Sequence, residues 1–154
     1  MANENWNYAV GGVVLKGNEV LLVRHTYGNA KGKLLIPGGY CNIDELPQEA
    51  ARREIMEETG VIASVGDLLA IRFNTKTWYA VFLMEFISGE PASDGNENSE
   101  ALFMSIDEAL KNPQVTDMTK KALRMVKENR SGGLKYIEDY SAKKGKDYAL
   151  FGII

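Results

Sequence analysis

Three glutamates in one short stretch carry the chemistry this sequence can do. From Pro47 to Gly60 the run PQEAARREIMEETG is helical in pattern, and Glu54, Glu57 and Glu58 fall at i, i+3 and i+4, on one helix face. That placement costs stability. Like charges at these spacings repel by about 0.2–0.5 kcal/mol per pair, and anions in the last turn oppose the negative end of the helix dipole by about 0.3–1 kcal/mol each. A hard divalent cation offsets that cost, because Mg2+ and its relatives take carboxylate and carbonyl oxygens together with substrate phosphate oxygens. Just upstream, Pro37-Gly38-Gly39 gives backbone that can approach a ligand closely, so the Gly38 carbonyl is a further donor; the plainer reading is a turn. In such a site metals neutralise phosphate charge, lower the pKa of bound water and hold it for in-line attack.

Other chemistries are poorly served. The one histidine, His25, has no GxSxG elbow to act on, and no GxGxxG follows a strand. The segment TYGNAKGK is similar to a phosphate-binding loop only loosely, although Lys31 and Lys33 could attract a polyanion. One cysteine, Cys41, excludes an intramolecular disulfide and any Cys/His zinc module; it reads as a small half-buried hydrophobe.

The elements that must hold the acids can be read around them. Residues 8–15 and 19–25 are strands joined by a tight hairpin at Lys16, Gly17 and Asn18, with Arg24 and His25 closing the second. The helix has Pro47 at N1, a poor N-cap in Leu46, Glu49 placed as a capping-box acid and as an i, i+4 partner for Arg53, and Gly60 as its stop. Residues 61–73 and 77–87 are expected as central strands. The stretch 88–100, without a large apolar residue, is expected as a mobile loop over the site. A short strand over 101–105 and a helical turn over 106–110 follow. A second helix over 116–129 should bury Met118, Ala122, Leu123, Met125 and Val126. The tail, 130–154, is expected to add a hairpin or pack on the sheet.

Composition bounds the whole. A chain of 154 residues, 45% hydrophobic and 25% charged, is most simply a single domain over 1–154. A net charge of −3 argues against nonspecific nucleic-acid or anionic-membrane binding. The first residues lack a signal-peptide layout and no apolar run approaches spanning length, so the expected compartment is cytoplasmic and no membrane partner is expected; a homodimer is compatible with the sequence.

From Gly39 the order is five residues, Glu45, seven residues, Arg53-Glu54-Ile55, one residue, Glu57-Glu58, one residue, Gly60-Val61. This resembles a complete Nudix box, the signature of the Nudix hydrolases, and the preceding VLLVRH and IPGG and the later SEALFMSIDEAL resemble the family's order of elements. The resemblance implies an α/β fold, an α/β/α sandwich with a mixed sheet. It implies hydrolysis of a nucleoside diphosphate linked to another moiety, by water attack at phosphorus with magnesium or manganese. Glu54 and Glu58 are then the principal metal ligands, Glu57 a further ligand or water-orienting group, and Gly38 the carbonyl ligand. Arg53 and Glu45 form a salt bridge that orients helix and loop. The base is expected outside the box, at Glu100 or Glu97, with Glu100 preferred because it immediately precedes the strand-like ALFMS.

Substrate markers are sparse. Lys76 and Thr77 stand where ADP-ribose hydrolases carry a proline, and neither an NADH array nor a coenzyme A signature is present. Tyr79 lies near the tyrosine of dinucleoside polyphosphate hydrolases, in an apolar strand where core packing is the plainer role. Arg24, Lys33 and Tyr79 are the substrate-binding candidates, and Trp6, Tyr8, Tyr27, Arg72 and Trp78 could stack on a base or grip phosphate. The expected substrate is a nucleoside triphosphate or a nucleoside diphosphate derivative. The alternatives are a noncatalytic Nudix-fold nucleotide sensor, against which the three intact glutamates argue, and an isoprenoid diphosphate isomerase, for which Cys41 is no obvious match.

Overall fold

The computed structural model describes residues 7–128, 133–140 and 148–153. Trp6, Arg130 and the AKKGK segment of the tail lie outside the described residues. In chain order the elements are β1 (Asn7–Lys16), β2 (Glu19–His25), β3 (Leu34–Leu35), β4 (Gly38–Tyr40), α1 (Pro47–Thr59), β5 (Ile62–Phe73), β6 (Thr77–Ser88), β7 (Asn98–Ser105), α2 (Ile106–Lys111), α3 (Asp117–Glu128), β8 (Lys135–Tyr136) and β9 (Phe151–Gly152).

β1 and β6 run parallel through the middle of a mixed sheet ordered β3-β2-β1-β6-β5, with β4 added to β1 and β7 to β2 in antiparallel pairing. Both faces of this centre are covered, which is why β1, β2 and β6 read as continuous apolar runs. Neighbours point to opposite sides. Val13, Leu22 and Val81 enter a core with Ile106, Ala109, Leu123 and Val126 of α2 and α3. Val14, Leu21 and Phe82 enter one with Ala50, Ala51 and Ile55 of α1. The result is the expected α/β sandwich. Ile55 is fully buried, and truncating it to alanine should cost about 2–5 kcal/mol.

Several expectations need correcting. β6 is central, but β5 is an edge strand, half-exposed along its length. The strand expected from 101 begins at Asn98, because pairing with β2 overrides the poor strand propensity of Asn98, Ser99 and Glu100. On α3 Met125 is 42% exposed while Ala122, Leu123 and Val126 are buried. In the tail, β8 and β9 pair with each other, Leu134 bridges Leu68 on β5, and Phe151 packs on Phe82 at 5.6 Å. Among the described residues, no helix is long and apolar enough to cross a membrane.

Candidate active site

α1 delivers the acids because its ends are fixed. Pro47 opens it after Leu46, whose side chain makes no cap bond, and Gly60 closes it at φ 75° with its N–H on the Met56 carbonyl at 2.9 Å. Ala50, Ala51 and Ile55 face the core, which turns the 54/57/58 face towards the glycine loop. There Gly39 leaves room for Glu54: a Cβ at that position would displace the Glu54 carboxylate. Gly38 is the more tightly confined, since a Cβ there would meet the main-chain carbonyl of Val10 in the strand it pairs with.

Arg53 organises the surroundings. Its guanidinium donates to Glu45 at 2.7 and 2.8 Å, to Glu54 at 2.9 Å, to Glu57 at 3.1 Å and to the Tyr40 carbonyl at 3.0 Å. The expected Glu49–Arg53 pair is replaced by the Glu45 bridge, which draws the loop before α1 onto the helix. Hydrogen bonding to Arg53 holds the Glu45 carboxyl below the usual carboxylate range, and the Asn42 N–H also donates to it at 3.0 Å.

The three glutamates are not equivalent. Glu57 is exposed, Glu54 is half-buried, and Glu58 is 4% exposed. Burial pushes the Glu58 carboxyl up to about 8, helped by the charges of Glu97, Glu54 and Asp94; the Gly38 N–H opposes the shift. Glu54 is raised by burial against the pull of Arg53. Hard oxygen donors crowded where negative charge is penalised fit a divalent cation, which would relieve that penalty. Among the described residues no three His, Cys, Asp or Glu side chains already stand grouped as metal ligands; Arg53 holds two of the glutamates.

A further acid lies near enough for its charge to reach this cluster, and it is Glu97. Its charge bears on Glu58, Glu54, His25 and Tyr27. Glu100, the preferred residue in the sequence reading, lies within β7 opposite Arg24, with its carboxylate 3.0 Å from the Arg24 Nε. The corrected strand start explains the difference, since Glu97 is the residue that immediately precedes β7. Nor is the loop loosely held. Asn98 and Thr26 tie it to α1 and to the end of β2, bonds that no sequence spacing announced.

Beside the glycine loop a pocket of about 230 Å³ is lined by His25, Tyr27, Gly38, Gly39, Arg72 and Tyr79, among others. Tyr79 therefore borders a cavity rather than serving only the core. Its hydroxyl is raised by burial and by the Glu58 charge, and Arg72 lies 5.5 Å from its ring centre. His25 stacks on Tyr27 at 5.1 Å. The other substrate-binding candidates are elsewhere. Arg24 is spent on Glu100, Gln114 at 2.9 Å and the Gly32 carbonyl at 2.8 Å. Lys33 is exposed on the loop before β3 and is not among the pocket residues. Tyr8 and Trp78 line a separate apolar pocket with Leu46, Pro47, Phe82 and Phe151. Cys41 is half-buried there, its thiol raised by burial.

Comparison with known proteins agrees with this geometry. The family model described as the NUDIX domain matches residues 6–126. An ADP-ribose pyrophosphatase of Methanocaldococcus jannaschii is 33% identical over 105 residues, covering 64% of this chain and 62% of that protein. A putative ADP-ribose pyrophosphatase of Bacillus subtilis, YjhB, is 29% identical over 106 residues, covering 64% of this chain and 50% of that protein. The chain thus spans less than two thirds of the length of these relatives. Among solved structures, a MutT NUDIX hydrolase from Burkholderia pseudomallei superposes with a TM-score of 0.69 at 24% identity, over 80% of this chain and 99% of that one. The box on α1, the glycine loop against it and the sheet that carries both place the chain in the Nudix family.

Proposed function

We propose that this chain is a metal-dependent pyrophosphohydrolase that cleaves the pyrophosphate bond of a nucleoside diphosphate derivative or nucleoside triphosphate. The observation that carries the reading is Glu58: a carboxyl 4% exposed, on the α1 face it shares with Glu54 and Glu57, where burial and the charges of Glu97, Glu54 and Asp94 penalise its ionised form until a cation joins it. Glu54, Glu57, Glu58 and the Gly38 carbonyl would hold Mg2+ or Mn2+. When bound, such an ion supplies neutralisation of phosphate charge and acidification of a water.

The chain's own residues do the rest. Glu97, near the cluster on the loop before β7, takes the proton of the attacking water as general base. Arg53 keeps the glutamates oriented by holding Glu45, Glu54 and Glu57. Arg72 supplies a cation to substrate phosphate or ribose, and the adjoining pocket, lined by His25, Tyr27 and Tyr79, is where a base would sit. The names of the M. jannaschii and B. subtilis relatives favour ADP-ribose as the first compound to try.

The test is a panel of ADP-ribose, diadenosine tetraphosphate and ATP with Mg2+ or Mn2+, scoring release of nucleoside monophosphate or pyrophosphate, run beside Glu54→Gln and Glu58→Gln. Turnover of one compound, slowed at least about tenfold (about 1.4 kcal/mol of barrier) by each substitution, is the expected result. Nucleotide binding without turnover would favour the sensor reading instead.

A further inference from the structure

Asn98 is 1% exposed, and both the nitrogen and the oxygen of its amide are engaged. The Nδ2 donates to the main-chain carbonyl of Glu58 at 2.9 Å, and the Oδ1 accepts from the Asp94 N–H at 3.3 Å. Its own N–H donates to the Asp94 carboxylate at 3.1 Å, and its carbonyl accepts from the Ser93 hydroxyl at 2.7 Å. Four further bonds, one from Ala92 and three from Thr26, hold the same loop. The Ala92 N–H caps the Thr59 carbonyl at 2.9 Å, and Thr26 donates from its N–H to the Glu97 carbonyl at 3.1 Å and from its hydroxyl to the Asn96 and Glu97 carbonyls at 2.8 and 3.0 Å. The last carbonyls of α1 have no partner within the helix, so these bonds satisfy groups that must be satisfied somewhere. They also fix the Glu97 main chain from both sides.

The register of β7 shows how Asn98 comes to point inward. Arg24 pairs with Glu100, but His25 pairs with Asn98, so Ser99 is an extra residue on the β7 side. Without that bulge Ser99 would oppose His25. With it, Ser99 and Glu100 are exposed while Asn98 is buried against α1. Bulges of this kind commonly re-aim side chains beside active sites.

We propose that Asn98 is a positioning residue for the reaction: it clamps the loop bearing Glu97 onto the backbone of Glu58 and so fixes the distance between base and metal-binding carboxylates. This rests on the hydrolase reading above and adds to it a residue outside the box. Asn is specifically required, because one amide must both donate to the Glu58 carbonyl and accept from the Asp94 N–H. Aspartate keeps the acceptor but has no hydrogen to donate.

The experiment is a double-mutant cycle on whichever compound of the panel the wild type cleaves fastest, with Mg2+. Asn98→Ala, Asn98→Asp and Thr26→Val are each measured alone and combined with Glu97→Gln. Asn98→Ala and Asn98→Asp should lower kcat by about tenfold or more with KM within about threefold, and should add less than about twofold to Glu97→Gln, because they act through the same group. Thr26→Val, which removes only the hydroxyl bonds, should lower kcat about threefold with the same lack of additivity. An Asn98→Ala enzyme within about twofold of wild type, or one that loses as much activity on the Glu97→Gln background as on wild type, overturns the proposal. If melting shows Asn98→Ala to be unfolded, Thr26→Val decides: full activity, or additivity with Glu97→Gln, overturns it. A wild type that cleaves nothing overturns the hydrolase reading and this one with it, whereas an active wild type with an unimpaired Asn98→Ala overturns this one alone.

Discussion

The site draws its acids from two regions that the chain holds in different ways. Around α1 the partners are close in sequence: Arg53 reaches Glu54 one residue away, Glu57 four away and Glu45 eight away. Around Glu97 the bonds that tie the loop to the rest of the fold are distant: Thr26 reaches across 70 and 71 residues, and Asn98 reaches the Glu58 carbonyl across 40. A ligand set from one helix can be written as a spacing, because the 3.6-residue turn fixes which side chains meet. A base supplied from another element has no such rule. Its position depends on a strand register, a bulge and bonds to main-chain atoms.

Substitutions should separate the two regions, from the largest effect down. Glu58→Gln and Glu54→Gln should each reduce Mg2+-supported turnover by about a hundredfold or more, read as kcat/KM. Glu97→Gln should lose about ten- to a hundredfold in kcat while leaving metal binding nearly intact, checked by Mn2+ titration. Arg53→Ala should destabilise the fold by about 1–3 kcal/mol, read from urea midpoints, because it strands Glu45 and Glu54 in a half-buried setting. Glu100→Gln, which alters only a partly exposed pair with Arg24, should leave kcat within about twofold and change stability by less than about 1 kcal/mol. An activity loss at Glu100 as large as that at Glu97 would break the contrast.

A pH prediction sharpens the first region. Arg53 depresses the Glu45 pKa, so the pair's stabilisation is fully present above the unfolded carboxyl value of about 4.3 and is lost as pH falls through the lower folded value. Urea midpoints of wild type and Glu45→Gln should therefore differ at pH 6 and converge as the pH is taken below about 4. A constant difference throughout would show that packing, not charge, is what Glu45 contributes.

The sequence carried the α1 region nearly whole. Pro47, Gly60 and the glutamate spacing are local statements, and each stands where spacing put it, whereas Gly38 and Gly39, read as a turn, lie in β4, held there by pairing with β1. Both Glu100 and Glu97 were legible as candidate bases, and the preference for Glu100 turned on a strand boundary. The acid just before the strand was sought, and the strand begins at Asn98 rather than 101, because pairing to β2 holds three residues that have little strand propensity. Asn98 itself carried no signal, since a polar residue in a polar loop gives no hint that it will be buried. Arg24 looked free at a strand end, but its three partners come from the β2–β3 loop, β7 and the turn before α3. Tyr79 alternates along a buried strand like a core residue, and only the sheet's packing reveals that its side faces the cavity beside Arg72.

On the proposed function, the acids on α1 are tolerated because a divalent cation joins them. Thermal melting of wild type and Glu58→Gln, each with EDTA and with saturating Mg2+, tests it without reference to any substrate. Wild type should gain about 2–3 kcal/mol with Mg2+ at roughly a hundred times Kd, a rise of roughly 5–10 °C. Glu58→Gln should melt higher than wild type in EDTA at pH 7, having lost a carboxyl whose ionisation burial penalises in the folded state, and should respond weakly to Mg2+. Equal responses in the two proteins, or a Glu58→Gln that melts well below wild type without metal, would contradict the account.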